Sequence, residues 1–280
     1  MSSDAIPVDA ATPPLAETAG PSWLGVKDAG VAADKGTRRR MEDTHVLEDK
    51  FAGSDASAFF GVYDGHGGKH ISDLCASTIH KTLATHVAGI AESDLSADKL
   101  VETMKIVYAE VDEGLKTAMP TSGACVVTAL IREIGGKRVL VVANAGDSRA
   151  IISRESGVER LTYDHKPTDE SEAARITGSG AFIRDGRVNG MIGITRALGD
   201  HCMKQWIIST PHVQAIELTS TDDFLVLACD GVWDVVKDEE AIAFLREKGE
   251  QNASYLAKAL AVEALKRGSQ DNISVIVVRL

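Results

Sequence analysis

Apolar positions along the chain follow two rhythms. Runs almost continuous in Val, Ile, Leu, Phe and Ala occupy residues 58–63, 124–132, 138–143, 150–153, 224–229 and 273–280. Runs of that length and composition predict strands covered on both faces. Residues 124–132 and 138–143 are joined by a short segment containing Gly135-Gly136, which predicts a hairpin and hence antiparallel pairing, against a doubly wound parallel sheet. The second rhythm is helical: Ile71, Leu74, Cys75, Ile79 and Leu83 share one face, as do Leu100, Met104, Val107, Val111 and Leu115 behind a candidate N-cap at Ser96. Two more helices are predicted, 239–248 capped by Asp238 with Gly249 behind it, and 253–267 capped by Asn252 with Gly268 behind it. The sum is an α+β domain, an antiparallel sheet core with helices outside.

Residues 1–22 break this pattern. They hold four of the seven prolines among Ala, Ser, Thr and Asp, a composition that buries too little apolar surface to offset chain ordering. They are predicted to form a flexible tail, with one domain spanning 23–280. The balance of 30 Lys+Arg against 41 Asp+Glu gives a net charge of -11, which disfavours nucleic acid and anionic membrane as partners. No apolar run approaches membrane-spanning length. The four cysteines, Cys75, Cys125, Cys202 and Cys229, form no C-x-x-C pair, so neither a disulfide framework nor a zinc site is signalled. A reducing cytoplasmic or nuclear setting is expected.

The chemistry lies at the ends of the apolar runs. Residues 59–63 lead into Asp64-Gly65, residues 224–229 into Asp230-Gly231, and Asp271-Asn272 precede Ile273. One Asp-Gly after a strand is usually a turn. Several ionised carboxylates at the rim of a core are costly unless hydrogen-bonded, paired or bound to metal. With Glu42-Asp43, Asp147 and Asp234 added, the set is rich in oxygen donors without clustered His, which favours Mg²⁺ or Mn²⁺ over zinc. On ligand logic alone, a two-metal phosphodiesterase or a small-molecule phosphatase fits as well as a protein phosphatase.

Other chemistries lack their motifs. The chain has no G-x-x-x-x-G-K-[ST] loop and no protein-kinase signature set. His201-Cys202 begins like a cysteine-phosphatase loop, but the sixth residue beyond the cysteine is Ile208 rather than Arg, so Cys202 is expected to be a buried thiol.

Read in order, Arg38-Arg39-Arg40-Met41-Glu42-Asp43, Tyr63-Asp64-Gly65-His66-Gly67-Gly68, Asn144-Ala145-Gly146-Asp147-Ser148-Arg149 and Asp164-His165-Lys166-Pro167 resemble successive motifs of the PP2C family of serine/threonine protein phosphatases. So do Thr195-Arg196-Ala197-Leu198-Gly199-Asp200, Ala228-Cys229-Asp230-Gly231-Val232-Trp233-Asp234 and Gly268-Ser269-Gln270-Asp271-Asn272. The resemblance covers nearly everything after residue 22. It implies a four-layer α-β-β-α sandwich, two antiparallel β-sheets flanked by helices, with a binuclear Mg²⁺/Mn²⁺ centre in a cleft at one edge. It further implies phosphorylated proteins as substrates; independently of the resemblance, a monomer is expected. By motif position Asp64 bridges the ions, Asp230 and Asp271 complete one site, and Glu42 with the Gly65 carbonyl serve the other. Asp43 orients the attacking water, Arg38 binds phosphate, and His66 is the general acid. Asp147 and Asp234 match positions that hold a weaker third ion in some relatives. Cys125 stands where relatives commonly carry Thr.

Overall fold

The computed structural model describes residues 26–280, so the predicted tail 1–22 and the domain's first residues, 23–25, lie outside the described residues. In chain order, β1 (Asp28–Asp34), β2 (Thr44–Asp49) and β3 (Ser57–His66) precede α1 (His70–Ala88) and α2 (Ala97–Gly114). Next come β4 (Gly123–Ile134), β5 (Lys137–Ala145), β6 (Arg149–Arg154), β7 (Gly157–Arg160) and α3 (Glu170–Gly178). The short strands β8 (Ile183–Arg184), β9 (Arg187–Val188) and β10 (Leu198–Gly199) lead to β11 (His212–Glu217) and β12 (Phe224–Ala228). The chain then runs through α4 (Asp230–Trp233), α5 (Asp238–Glu247) and α6 (Ala253–Lys266) to β13 (Ile273–Arg279).

Two antiparallel sheets form, one ordered β1-β13-β12-β6-β7 and the other β11-β5-β4-β3-β2. The hairpin at Gly135-Gly136 pairs Ile134 with Lys137. Both glycines take positive φ, 58° and 78°, as a tight two-residue turn between twisted strands requires.

Alternation along each strand sorts the side chains into layers. Ala58, Phe60 and Val62 of β3 join Val127, Ala129 and Val142 against Leu225, Leu227, Ile276 and Val278 of the other sheet. The intervening Phe59 and Tyr63 pack outward on α1 and α2, against Ile79, Leu83 and Met104. On the opposite side Val226, Ala228, Val275 and Val277 meet α5 and α6 through Ile242, Leu245, Leu256 and Leu260. The result is the expected order of helix, sheet, sheet, helix. Because each sheet is covered on both faces, its central strands need apolar residues at odd and even positions alike, hence the continuous runs.

Ser96 caps α2 by accepting from the Lys99 amide at 3.2 Å, and Asn252 caps α6 by accepting from the Tyr255 amide at 2.8 Å. Asp238 is not a cap. It is the first residue of α5, and its carboxylate takes bonds from Arg149 at 2.5 Å and Arg160 at 2.7 Å. Cys202 is exposed rather than buried, because it sits on a single 3₁₀ turn at the surface. No helix among the described residues is long and apolar enough to cross a membrane.

Candidate metal centre

Of the carboxylates singled out from the sequence, Asp43, Asp64, Asp147, Asp230 and Asp271 meet where strands of both sheets end. In β3 the row that faces the other sheet, 58, 60 and 62, continues to Asp64. In β12 the corresponding row continues to Cys229, and Asp230 opens α4. Asp271 lies just before β13, and Asp147 lies in the turn by which β5 of one sheet passes to β6 of the other.

Carboxylate oxygens of Asp64 and Asp230 and the sulfur of Cys229 all lie within 4.8 Å of one another. Two ionised carboxylates at that separation repel by roughly 3 kcal/mol at an effective dielectric near 20. That is a large share of a typical domain's net stability, so the cluster sheds charge. Burial, reinforced by Asp230, Asp43, Asp147 and Asp271, pushes Asp64 well above the usual carboxylate range. Burial, then Asp147, Asp271 and Asp234, pushes Asp230 up to about 8, against the pull of Lys166. Asp43 is 3% exposed, and neither carboxylate oxygen has a hydrogen-bond partner of normal geometry. Burial raises it to about 6, opposed by the nearby Ser274 hydroxyl and Cys229 thiol and reinforced by Asp271. Orphaned buried oxygens beside crowded carboxylates are what a hard divalent cation would satisfy, so these residues fit Mg²⁺ or Mn²⁺.

Glu42 and Gly65 are neighbours. The Glu42 carbonyl accepts from Ser72 Oγ and lies so near Gly65 that a Cβ there would come within 2.5 Å of it. The Glu42 carboxylate accepts from the Gly68 amide at 3.2 Å. Asp147 is buried and accepts from the Cys125 thiol at 3.3 Å, whereas Asp234 is exposed. Lys166 connects the two, with Nζ 3.3 Å from Asp147 and 3.2 Å from Asp234. Burial opposes its charge, but Asp147, Asp234 and Asp230 outweigh it and hold the ammonium above its usual range.

Arg38 is exposed and paired with Asp271. Its loop is pinned by Asn272, whose amide nitrogen donates to the carbonyls of Lys35 at 2.9 Å and Arg40 at 3.0 Å, while its oxygen accepts from the Glu42 amide at 2.7 Å. His66 ends β3, with Nε2 2.7 Å from Asp200 Oδ2. Asp112 of α2 steadies the Asp200 turn, accepting from the Gly199 amide at 2.8 Å and from Lys204 at 2.9 Å.

Asp200, Asn272 and Lys166 stand inside the motifs quoted above, yet none of them is legible there as part of the site. Their partners are tertiary; the only local signal was polar residues left over in a motif once its named ligands were assigned.

Comparison with known proteins places this geometry. The sequence model of protein phosphatase 2C matches residues 27–273. A probable protein phosphatase 2C 32 of Oryza sativa subsp. japonica is 36% identical over 88% of this chain, which spans 64% of that relative's length. Protein phosphatase 2C homolog 1 of Schizosaccharomyces pombe is 37% identical over 92% of this chain and 74% of its own. Among solved structures, a C. elegans sex determining protein superposes with a TM-score of 0.81 at 26% identity, over 92% of this chain and 65% of that one. With layers, acidic rim and sequence in agreement, the chain belongs to the protein phosphatase 2C family.

Proposed function

We propose that the protein hydrolyses phosphoserine and phosphothreonine in proteins with the aid of two Mg²⁺ or Mn²⁺ ions. The observation that carries this reading is the meeting of Asp64 and Asp230 from different sheets within 4.8 Å, beside a buried Asp43 with no hydrogen-bond partner of normal geometry. Asp64 would serve both ions, Asp230 and Asp271 one of them, and Glu42 with the Gly65 carbonyl the other. When bound, the ions lower the pKa of water and neutralise charge on the phosphoryl group.

The chain's own residues do the rest. Arg38, exposed beside Asp271, offers two parallel N–H donors to phosphate oxygens. Asp43 accepts a hydrogen bond from the attacking water and aims it. His66, held through Nε2 by Asp200, keeps Nδ1 to protonate the departing serine or threonine oxygen. An alkoxide is a poor leaving group, so a positioned acid suits esters of alcohols. We further propose that the enzyme is a monomer and works in the reducing cytoplasm or nucleus; its four unpaired cysteines support that setting.

The test is hydrolysis of phosphoserine peptides, nucleotides and phosphodiesters, each with chelator and with Mn²⁺ or Mg²⁺ restored. Ion-dependent turnover confined to the phosphopeptides is expected. Preference for a diester or a nucleotide would overturn the substrate assignment, and turnover indifferent to chelator would overturn the metal centre.

A further inference from the structure

Two carboxylates at the margin of the centre already have a positive partner, Lys166, bridging Asp147 Oδ2 at 3.3 Å and Asp234 Oδ1 at 3.2 Å. This is not a freely solvated lysine, since its side chain is one-third exposed and its backbone is tied down. The His165 amide donates to the Gly146 carbonyl at 3.0 Å, next to Asp147 in sequence. Asn144 donates to the Tyr163 carbonyl at 2.7 Å. Asp164 takes two bonds from the Arg149 guanidinium, which also holds Asp238 and lies over the Trp233 ring, 5.2 Å from its centroid. Trp233 precedes Asp234 and is itself fixed, its indole donating to the Ala228 carbonyl at 2.8 Å. One framework therefore positions Asp147, Lys166 and Asp234 together.

We propose that Lys166 is a tethered cation that fills the space between Asp147 and Asp234, and that a divalent ion enters this pair only when the ammonium swings out to solvent. The proposal rests on the metal-centre reading above. It divides the acidic cluster into two parts with different fates. Lys166 acts on Asp230 only through space, and among the described residues no salt bridge reaches Asp64 or Asp230, so that pair is left for ions of higher charge. Asp147 and Asp234 are neutralised from within, so any ion there must first displace a partner that diffusion cannot carry away. Such competition makes a third ion weak without altering its ligands.

The experiment is Mn²⁺ titration of the chelator-stripped full chain by calorimetry, with free Mn²⁺ followed by electron paramagnetic resonance. Wild type, Lys166→Met and Lys166→Arg are compared, with circular dichroism to verify folding. Lys166→Met should bind a third Mn²⁺ at least about tenfold more tightly than wild type, and Lys166→Arg should resemble wild type. Equal third-ion binding in wild type and Lys166→Met would overturn the proposal while leaving the two-ion centre standing. Absence of any Mn²⁺ binding by wild type would instead bring down the metal-centre reading, and the proposal with it. An arm that needs no variant is amine labelling of wild type read by mass spectrometry. Lys166 should be protected at two-ion Mn²⁺ concentrations and become reactive as Mn²⁺ rises further; labelling independent of Mn²⁺ would count against displacement.

Discussion

His66 Nε2 and Asp200 Oδ2 lie 2.7 Å apart although 134 residues separate them in sequence. Asp200 is 1% exposed, and its other oxygen is buried with no partner, so the carboxylate is committed to the imidazole. Such a partner fixes the tautomer and the ring plane, and with them the nitrogen that can deliver a proton. Asp200→Asn should lower kcat on a phosphoserine peptide by about 10²-fold, with a far smaller effect on an aryl phosphate whose leaving group needs no acid. Equal losses on both substrates would exclude a role through His66.

Gly123 makes room for that pair. A Cβ at this position would come within 2.6 Å of His66 Nε2 and closer still to the Asp200 carboxylate. Gly123→Ala should therefore reproduce the leaving-group dependence of Asp200→Asn while Mn²⁺ affinity, measured by calorimetry, stays at the wild-type value. A variant with weakened Mn²⁺ binding and no leaving-group dependence would show that Gly123 serves the ligands instead.

Removing a clustered carboxylate should separate activity from stability. Asp64→Asn and Asp230→Asn are expected to abolish ion-dependent turnover, a loss on the order of 10³-fold or more. In chelator the same variants should melt above wild type, because repulsion among Asp64, Asp230 and Asp147 is relieved. Undiminished activity in either would remove the ligand assignment, and lowered melting points in chelator would contradict the crowding argument.

The cluster also sets a pH dependence. Asp230, raised from 3.8 to about 8, holds a proton in the folded ion-free protein that the unfolded chain has released. Its contribution to ion-free stability is therefore lost as pH climbs from about 4 to about 8. Asp43, raised to about 6, acts the same way over the lower part of that window. Divalent ions take the place of those protons, so the rise in melting temperature on adding Mn²⁺ should grow from pH 5 to pH 8. His165, lowered by burial to about 4, runs oppositely, its contribution being lost as pH falls through 6.5 toward 4. That contribution is common to both protein forms and cancels in the difference. A Mn²⁺ effect flat across pH 5 to 8 would refute the account.

The sequence made the layers legible where burial on both faces writes itself as a continuous apolar run, as in β3, β4, β12 and β13. It hid β2 and β11, whose half-exposed edges mix His45, Glu48, Gln214 and Glu217 with apolar positions. It also hid α3, which is short and polar. Asp238 misled because ion pairs with Arg149 and Arg160 claimed a carboxylate that looked like a cap. Cys202 misled because thiol burial depends on the surrounding layers, and a surface turn supplies none. The acidic rim was readable because strand ends present their carboxylates in sequence. The bond from Asp200 to His66, the grip of Asn272 on residues 35–42 and the Lys166 bridge all join distant segments, and no local pattern marks them.

Asp64 belongs to one sheet, whereas Asp230 and Asp271 sit at strand ends of the other. Ions shared among them would act as rivets through the sandwich, fastening two layers that are otherwise joined at that edge by greasy side chains and by hydrogen bonds such as that from the Glu42 amide to Asn272. Occupancy would then govern more than catalysis: breathing of one layer against the other would be damped whenever the rivets are in place, making rigidity of the whole body a readout of its ionic surroundings.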